Sequence, residues 1–502
     1  MRVRILVVLA LCASGAAARA QAPEPFAVRS LASDARTVAL EIGDFDGDAR
    51  ADLLAFAARG VPPDERRSLV VRFGRDGGAL SDAPDLALAL PVEAGAYDVG
   101  ALDARPGLEL LLLHAGGVHV LSLAGRTPQE RTLAAPIATA APAADERGIE
   151  RLRLLRAELG PGRLVVPGFG VAAVLDAEGG VLGVPRVAAR ANYFVPPRPG
   201  PLLGENELEL YFDVPRLELA DVDGDGRADL VAAGRHELRV FRQRADGRFP
   251  AEPDRVVPLR LLGEEDHVRN AGSVRVEVSD VDRDRRADLL VVHASGGLLR
   301  SVTRTRLHRN RDGDWDLARP DQVFERRGGV EVDQLVDLDG DERPELLRVF
   351  LPLGLLDLAR LFLQRSLHLD AALHRNLGEN GIEATPWLRR RVVVAFDFET
   401  LRPRGSIPTL SADWNGDGHR DLLGGGDGEA LEIWLGGPRH RFATVHARQP
   451  LDSGGRLRIG DLDGDGLPDF ALYDPRRPGA PIRIGINRGT LPDTQPALRA
   501  AP

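Results

Sequence analysis

Cysteine is almost missing from this chain of 502 residues, because Cys12 is the only one. Cys12 lies in an apolar N-terminal stretch that we expect to be removed, so the mature chain would contain no cysteine. Disulfides, thiol catalysis and cysteine-based metal sites are therefore excluded for the mature protein.

Lysine is absent altogether, and aromatic residues make up only 5% of the chain. The known catalytic motifs are missing too: there is no Gly-x-Ser-x-Gly elbow, no phosphate-binding loop and no His-Glu-x-x-His motif. The 11 histidines are scattered, and His368 and His374 are six residues apart, which fits no simple helical metal pair. The sequence therefore predicts no catalytic residue and no site for an organic cofactor.

The first 20 residues read as a secretory signal peptide. Arg2 and Arg4 form its charged start, Ile5–Ala17 its apolar core, and residues 18–20 a small-residue cleavage site. The apolar run is too short to favour a membrane anchor, and Leu11 stands where a lipidated Cys12 would need a small residue. We expect a secreted or periplasmic protein, free or held at the cell surface, with no membrane span in the mature chain.

What the chain does contain is a repeated acidic loop, seen most clearly at Asp221–Asp229 (DVDGDGRAD) between two apolar runs. Carboxylates at its first, third, fifth and ninth positions and the carbonyl of the seventh can point at one centre. Calcium prefers six to eight such oxygens, and Gly224 and Gly226 allow the sharp turns that this arrangement needs. The start resembles an EF-hand loop, but position twelve is not glutamate and the flanks alternate as strands do. The pattern predicts a strand, a calcium loop and a strand.

Five more copies of this loop follow the same pattern, at residues 44–52, 280–288, 337–345, 413–421 and 461–469. Two degraded copies lie between the first and second intact loops. Residues 97–113 keep Asp103 and Glu109 at the third and ninth positions, whereas Leu154–Pro167 keeps only the apolar flanks. Most loop starts lie near sixty residues apart, which indicates a tandem repeat.

Each repeat also contains further strands and a turn. After the Asp221 loop come residues 230–233, 236–242 and 255–262, with a turn at 244–249. Four short strands are the unit of a propeller blade. The chain is thus predicted to be all-β, a β-propeller of eight blades over residues 21–502, or seven if Leu154–Pro167 belongs to a neighbouring blade. Asp312 and Asp314 could suggest another metal loop, but a hairpin turn is favoured.

These loops, with turns such as Gly247-Arg248-Phe249, resemble the FG-GAP/VCBS repeats found in the propeller of integrin α chains and in many secreted bacterial proteins. The resemblance implies that each loop joins the first two strands of a blade and binds calcium, with about five or six ions per chain. The ligands it implies are Asp44, Asp46, Asp48, Arg50 and Asp52; Asp221, Asp223, Asp225, Arg227 and Asp229; Asp280, Asp282, Asp284, Arg286 and Asp288; Asp337, Asp339, Asp341, Arg343 and Glu345; Asp413, Asn415, Asp417, His419 and Asp421; and Asp461, Asp463, Asp465, Leu467 and Asp469. In each set the seventh residue contributes its backbone carbonyl.

Two loops depart from the pattern. Arg283 and Arg285 replace both turn glycines of the Asp280 loop, and Glu345 replaces the ninth aspartate of the Asp337 loop. These departures weaken the individual predictions at the two loops.

The two ends of the chain are predicted to meet. The last repeat has only three clear strands, and Phe26–Leu31 would supply its fourth strand and close the ring. One segment exceeds the repeat length, at residues 351–377, and part of it near 352–366 has helical propensity. A short helix packed on a blade is favoured over a helix that docks a partner.

The acidity of the chain has a local explanation. Removing residues 1–20 removes three arginines and no acid, so the formal net charge of −10 becomes −13. Six bound calcium ions would bring the protein close to neutrality, so the loops account for most of the excess negative charge. Nucleic acid is therefore not an expected partner.

Three functions remain open. A monomeric scaffold for binding or adhesion, with structural calcium and an extracellular protein or glycan as partner, is favoured by the repeats. An extracellular enzyme of the polysaccharide-lyase kind would need arginine, histidine, tyrosine or lysine clustered on one face, which the lack of lysine makes less favoured. A lectin would need aromatic platforms, for which Trp315, Trp387, Trp414 and Trp434 are few.

Overall fold

A computed structural model describes residues 24–61, 64–141, 149–194, 209–264, 266, 272–296, 301–338, 340–352, 354–397, 402–403, 409–424, 429–437, 441–452 and 454–494. Within these residues the chain forms an eight-bladed β-propeller, and each blade is an antiparallel sheet of about four strands. The prediction of eight blades is confirmed, and the alternative of seven is wrong because both degraded repeats form blades of their own.

Strands are numbered along the chain, and β1 (Phe26–Leu31) belongs to the last blade. Blade one contains β2 (Arg36–Gly43), β3 (Asp52–Arg59), β4 (Arg66–Arg72) and β5 (Leu86–Ala89). Blade two contains β6 (Ala96–Gly100), β7 (Glu109–His114), β8 (Gly117–Ser122) and β9 (Gln129–Ala134), with the short β10 (Glu150–Arg151) parallel to β6. Blade three contains β11 (Leu164–Pro167), β12 (Ala172–Leu175) and β13 (Val181–Gly183), and its innermost strand is reduced to a bridge between Leu155 and Leu164.

A hairpin of β14 (Arg190–Phe194) and β15 (Glu209–Asp213) precedes blade four. Blade four contains β16 (Arg216–Ala220), β17 (Asp229–Ala233), β18 (Glu237–Phe241) and β19 (Arg255–Pro258). Blade five contains β20 (Ser273–Ser279), β21 (Asp288–Ser295), β22 (Val302–His308) and β25 (Gln322–Arg327). Between its last two strands lies a hairpin of β23 (Asn310–Arg311) and β24 (Asp314–Trp315), so the turn predicted around Asp312 is confirmed.

Blade six contains β26 (Val330–Val336), β27 (Glu345–Leu351), β28 (Ser366–His374), β29 (Leu388–Asp397) and the short β30 (Arg402–Pro403). Blade seven contains β31 (Thr409–Ala412), β32 (Asp421–Gly424), β33 (Ala430–Trp434) and β34 (Ala447–Pro450). Blade eight contains β35 (Arg456–Gly460), β36 (Asp469–Tyr473) and β37 (Ile482–Asn487), with β1 as its outermost strand.

The ring closes through β1, as the sequence predicted. β1 pairs antiparallel with β37 over six residues, from Phe26 opposite Asn487 to Leu31 opposite Ile482. The Phe26 side chain is only 1% exposed and meets the rings of Trp414 and Phe470 edge to face, at centroid distances of 5.4 and 4.8 Å. One strand from the start of the chain thus completes the last blade and packs against blade seven.

The hydrophobic core lies between the blades. Buried apolar residues of the described chain form a cluster at each of the eight interfaces between neighbouring blades, including the one between blade eight and blade one. Phe56 of blade one, for example, lies 4.3 Å from the ring of Tyr97 in blade two. Since both faces of a blade are covered, the second strands read as continuous apolar runs rather than as an alternation.

Blade six departs from the other blades. The α-helix α1 (Leu355–Gln364) lies between its second and third strands and contacts β28, close to the predicted position of 352–366. β28 and β29 have 9 and 10 residues, longer than the outer strands of most other blades. The cluster between blades six and seven contains only four fully buried residues, and a largely apolar cavity of about 420 Å³ lies beside it. Fewer apolar residues are buried at this interface than at the other described interfaces.

Short 3-10 turns occur at Asp76–Gly78, Ala124–Arg126, Ala157–Leu159 and Gly378–Asn380. Among the described residues, α1 is the one α-helix whose ends can both be placed, and no described helix is long and apolar enough to cross a membrane. Residues 1–20 lie outside the described residues, so the signal peptide stays a prediction.

Candidate metal centres

Every intact acidic loop connects the first and second strands of a blade. The ninth residue of each loop is also the first residue of the second strand: Asp52, Asp229, Asp288, Glu345, Asp421 and Asp469. The loops therefore lie at the same end of their blades, as the resemblance implied.

The backbone of each loop wraps around the carboxylate of the first residue. In all six loops it accepts a hydrogen bond from the backbone N–H of the sixth residue, at 2.7–3.2 Å. In five loops it also accepts one from the fourth residue, at 2.6–2.9 Å. This double acceptance gives the loop its shape before any ion is considered.

The fourth and sixth residues of all six loops have positive φ, which explains the glycines of the motif. Arg283 and Arg285 adopt the same conformation, with φ of 66° and 70°. An L-residue with a side chain pays about 1 kcal/mol or more for this conformation. The Asp280 loop therefore keeps the geometry of its relatives despite lacking both glycines, at a cost to stability.

Three carboxylates converge in four of the loops, with oxygen atoms within 4.8 Å of one another. In three loops these are the first, third and fifth residues; in the fourth, Asp288 at the ninth position takes the place of Asp284. The groups are Asp44, Asp46 and Asp48; Asp221, Asp223 and Asp225; Asp461, Asp463 and Asp465; and Asp280, Asp282 and Asp288. An oxygen-rich centre of this kind suits a hard cation such as calcium.

The other two loops are less complete. Asp339, the predicted third ligand of the Asp337 loop, lies outside the described residues. In the Asp413 loop the third residue is Asn415, whose Nδ2 donates to Asp417 at 3.2 Å, so two carboxylates and one amide face the centre. The seventh residue donates its own N–H to the fifth carboxylate in all six loops, while the ligation by its carbonyl stays a prediction.

The ninth carboxylate has a structural role that the sequence did not reveal. In every loop one of its oxygens accepts the backbone N–H of the second residue, at 2.7–3.2 Å. In the five loops with aspartate, the other oxygen accepts an N–H at or just beyond the end of the third strand, from Gly74, Gln243, Asn310, Gly436 or Asn487. This residue therefore ties the loop to the third strand whether or not it also binds an ion.

Burial makes these ninth carboxylates hard to ionise without a counter-charge. Desolvation raises the pKa of Asp52 and Asp229 to about 6, and that of Asp288, Asp421 and Asp469 to about 7. A divalent ion beside such a group would favour its charged form and lower the pKa again.

Arginines provide positive charge around several loops. Arg126 of blade two reaches into the first loop and pairs with Asp46 at 2.7 Å and with Asp48 at 3.2 Å. Arg242 lies 3.4 Å from Asp223, and Arg309 lies 3.6 Å from Asp282. A bound ion at these loops would share its ligands with a guanidinium.

In the degraded loop of blade two, an arginine side chain lies where a cation would lie in an intact loop. Leu102 still donates its N–H to Glu109 at 2.9 Å, so the ninth-position hydrogen bond is kept. Arg105, at the fifth position, pairs with Asp103 at 2.7 Å, and this hydrogen bond is the main cause that lowers the pKa of Asp103 to about 2. Pro106 at the sixth position cannot adopt positive φ. An internal guanidinium therefore occupies the place of a cation, and no ion is expected there.

Neighbouring loops contact one another directly. The N–H of Leu108 in the second loop donates to the carbonyl of Asp44 in the first at 2.7 Å, and Ala287 donates to Asp221 at the same distance. Arg283 of the Asp280 loop pairs with Glu342 of the next loop at 2.7 Å. The loops of blades one and two, of blades four and five, and of blades five and six are thus joined directly.

Two stretches of the chain match a family model for the FG-GAP-like repeat, residues 221–291 and 413–472. The chain carries FG-GAP-like repeats. The matched stretches contain the Asp221, Asp280, Asp413 and Asp461 loops. The Asp44 and Asp337 loops lie outside the matched stretches and share the hydrogen-bonded geometry of the others. No curated protein matches the sequence.

Three solved structures illustrate the likeness to known chains. A Dos1 propeller is 10% identical, with 92% of this chain and 95% of that one covered and a TM-score of 0.33. The V. cholerae biofilm matrix protein Bap1 is 12% identical, with 79% and 81% covered and a TM-score of 0.26. A Photorhabdus luminescens Tc holotoxin pore is 14% identical, with 89% of this chain and 18% of that one covered and a TM-score of 0.30. The propeller assignment rests on the strand pairing described above.

The four tryptophans do not form an exposed platform. Trp315 and Trp414 are 3% and 0% exposed, and Trp387 and Trp434 are partly buried. Trp414 packs between blades against Phe26. The arginine-rich cavity of blade six was not predicted, although the run Arg389-Arg390-Arg391 is visible in the sequence.

Proposed function

We propose that this FG-GAP-like propeller is an extracytoplasmic, calcium-stabilised monomer that acts as a rigid binding or adhesion scaffold. The observation that supports it is the convergence of three carboxylates in loops that share one hydrogen-bonded geometry. Two unit charges about 4.8 Å apart repel by roughly 3 kcal/mol at an effective dielectric constant of 20. Bound calcium would neutralise this repulsion and would link the first and second strands of a blade through its ligands.

The affinity expected for such sites fits a protein that works outside the cytosol. Extracellular calcium modules bind at about 0.1–1 mM, so these loops would fill outside the cell. Because several neighbouring loops are joined directly, filling them would stiffen the end of the blades that carries them. Export through the N-terminal 20 residues completes the proposal, and N-terminal sequencing of the exported protein should then begin at Gln21.

Calcium titration of the exported chain tests the proposal. Thermal unfolding is followed while calcium is raised against a chelator, and the bound metal is counted. We expect the melting temperature to rise strongly with calcium and about four to six ions to bind per chain. No shift and no bound calcium would overturn the metal assignment.

A triple variant, Asp221→Asn with Asp223→Asn and Asp225→Asn, locates the effect in one loop. It should lose about one ion per chain and part of the calcium-dependent rise, because the amide is a weaker ligand than the carboxylate. Asp246→Asn is the matched control, since Asp246 lies on an exposed turn of the same blade. An equal loss in the control would argue against a site at the loop.

A further inference from the structure

A cavity of about 560 Å³ opens between blades five and six, away from the acidic loops. Its walls come from β25 of blade five and from β26, β27, β28 and β29 of blade six. The long outer strands of blade six extend this wall beyond the length of an ordinary blade. The cavity is therefore a product of the segment that breaks the repeat.

Strand register places charged residues in rows along this wall. Arg348 lies opposite Ala372, which lies opposite Arg389. Two residues further along, Phe350, Asp370 and Arg391 form a parallel row. Since alternate residues of a strand share a face, both rows face the cavity.

Most of the charges in the cavity are already paired within the protein. Arg348 donates to Glu331 at 2.8 Å and to Asp333 at 3.1 Å, and Arg391 donates to Asp370 at 2.8 Å. On the side of blade five, Glu325 is held by two arginines outside the cavity, Arg304 and Arg327, each at 2.9 Å. These side chains therefore need no ligand to balance their charge.

Arg326 and Arg389 are different. Both line the cavity and are exposed, and among the described residues neither forms an ion pair with a carboxylate within 4.0 Å, although the charge of Arg326 acts on the nearby Glu331. The guanidinium of Arg326 lies 4.0 Å from the centre of the Phe350 ring, which orients it without neutralising it. Arg390 also lines the cavity, but it donates to the Phe442 carbonyl and lies over the Trp434 ring, so Arg326 and Arg389 are the arginines left to meet a ligand.

The floor of the cavity is buried and partly aromatic. Phe350 and His374 are 8% and 3% exposed, and the His374 Nδ1–H donates to the Glu383 carbonyl at 2.8 Å. Carboxylates of Glu325 and Asp370 at the wall, 35% and 32% exposed, offer hydrogen-bond acceptors beside the guanidinium donors. The lining thus suits a ligand that carries both a negative charge and hydroxyl donors.

We propose that this cavity binds an acidic sugar residue of an extracellular glycan, with the sugar carboxylate between Arg326 and Arg389 and its hydroxyl groups donating to the wall carboxylates. Arginine is suited to this task because its planar fork can hold a carboxylate by two parallel hydrogen bonds. The cavity has room for about two or three sugar rings, which is within the usual range for a ligand site. The inference rests on the proposed extracytoplasmic binding role and names its ligand class.

Calorimetric titration with a galacturonate trimer tests this inference. The exported chain is used at saturating calcium, and the fully methyl-esterified trimer serves as an uncharged ligand of similar shape. We expect the acid to bind at least about tenfold more tightly than the ester, because the ester loses the charge-assisted hydrogen bonds. Equal binding of acid and ester would overturn the proposal.

Variants assign the binding to the two arginines. Arg326→Gln with Arg389→Gln should weaken binding of the trimer by at least about tenfold. Arg477→Gln is the matched control, because Arg477 is an exposed arginine of blade eight that pairs with Asp452 and does not line the cavity. Unchanged binding in the double variant, or an equal loss in the control, would contradict the assignment.

Phosphate binding and the calcium dependence of the double variant distinguish a wrong ligand class from a wrong calcium assignment. Inorganic phosphate that binds as tightly as the trimer would overturn the choice of a sugar acid in favour of a simple anion. The calcium count and the calcium-dependent melting temperature of the double variant should match those of the parent protein. A failure to bind the trimer with normal calcium behaviour would therefore reject this inference and leave the calcium scaffold standing.

Discussion

The ninth residue of the acidic loop shows how one side chain can serve both fold and site. Its two oxygens accept backbone N–H groups from the loop and from beyond the third strand, as Asp229 does with Val222 at 3.2 Å and Gln243 at 2.9 Å. The motif would therefore keep an acid here even in a loop that bound no metal. Glu109 in the degraded loop of blade two does so, beside Arg105.

Asp229→Ala should destabilise the protein by about 2 to 5 kcal/mol, because two buried backbone donors lose their acceptor. Asp229→Asn, which keeps one acceptor oxygen, should cost less. Chemical denaturation in chelator measures the effect without any contribution from calcium. Asp246→Ala on the exposed turn of the same blade is the control, and a cost as large as that of Asp229→Ala would refute the role given to Asp229.

At the scale of the element, the blade is the unit that the sequence specifies best. The spacing of the loops, the apolar second strands and Phe26–Leu31 as the missing strand were all predicted and confirmed, because each follows from local patterns of charge, turn residues and apolar period. The hydrogen bond that the Gln243 N–H donates to Asp229 and the placement of Arg105 were not predicted. They depend on how strands and loops lie beside one another in space, which a linear repeat does not encode.

Blade six illustrates this limit most clearly. The sequence indicated an inserted helix, but not that β28 and β29 would lengthen or that a charged face would turn toward blade five. Glu331 on this face is largely buried beside Asp333 and Arg348. Burial, followed by the charge of Asp333, raises the pKa of Glu331 from 4.5 to about 7.

This shift predicts a pH dependence of stability. The folded protein keeps a proton on Glu331 at pH values where the unfolded chain has lost it, so the stability from this group falls as pH rises from about 4.5 to about 7. The loss should amount to about 2 to 3 kcal/mol between pH 5 and pH 8. Glu331→Gln cannot ionise and should lack this part of the loss, as measured by unfolding at saturating calcium.

Glu325→Gln is the control for this experiment. Glu325 is exposed, and hydrogen bonds from Arg327 and Arg304 lower its pKa, so its removal should leave the fall between pH 5 and pH 8 in place. If Glu331→Gln and the parent protein lose the same stability over this interval, Glu331 is not the group responsible.

At the scale of the whole molecule, the ring is held by eight interfaces, of which the one completed by β1 joins distant parts of the chain. Phe26 contributes to it with a buried ring and with a backbone N–H that donates to Gln449 of blade seven at 3.1 Å. Loss of this contact opens the ring at one position while leaving the strands of the other blades intact.

Phe26→Ala should destabilise the closed ring by about 3 to 5 kcal/mol, as is usual when a buried aromatic ring is removed. Val28→Ala, on the same strand but 38% exposed, should change stability by less than about 0.5 kcal/mol. Hydrogen exchange should show faster exchange in β37 and β1 for Phe26→Ala and little change in blades three to five. Uniform faster exchange in all blades would instead mean that the ring unfolds as one unit.

The pairing of β1 with β37 also sets an order of events during biosynthesis. β1 is made before all the blades, yet its partner is made more than 400 residues later. Until β37 is synthesised, β1 has no strand to pair with. After β37 has formed, its free edge stays exposed until β1 pairs with it. Ring closure is therefore the last step of folding, and the period before it is when the chain is most exposed to aggregation and proteases.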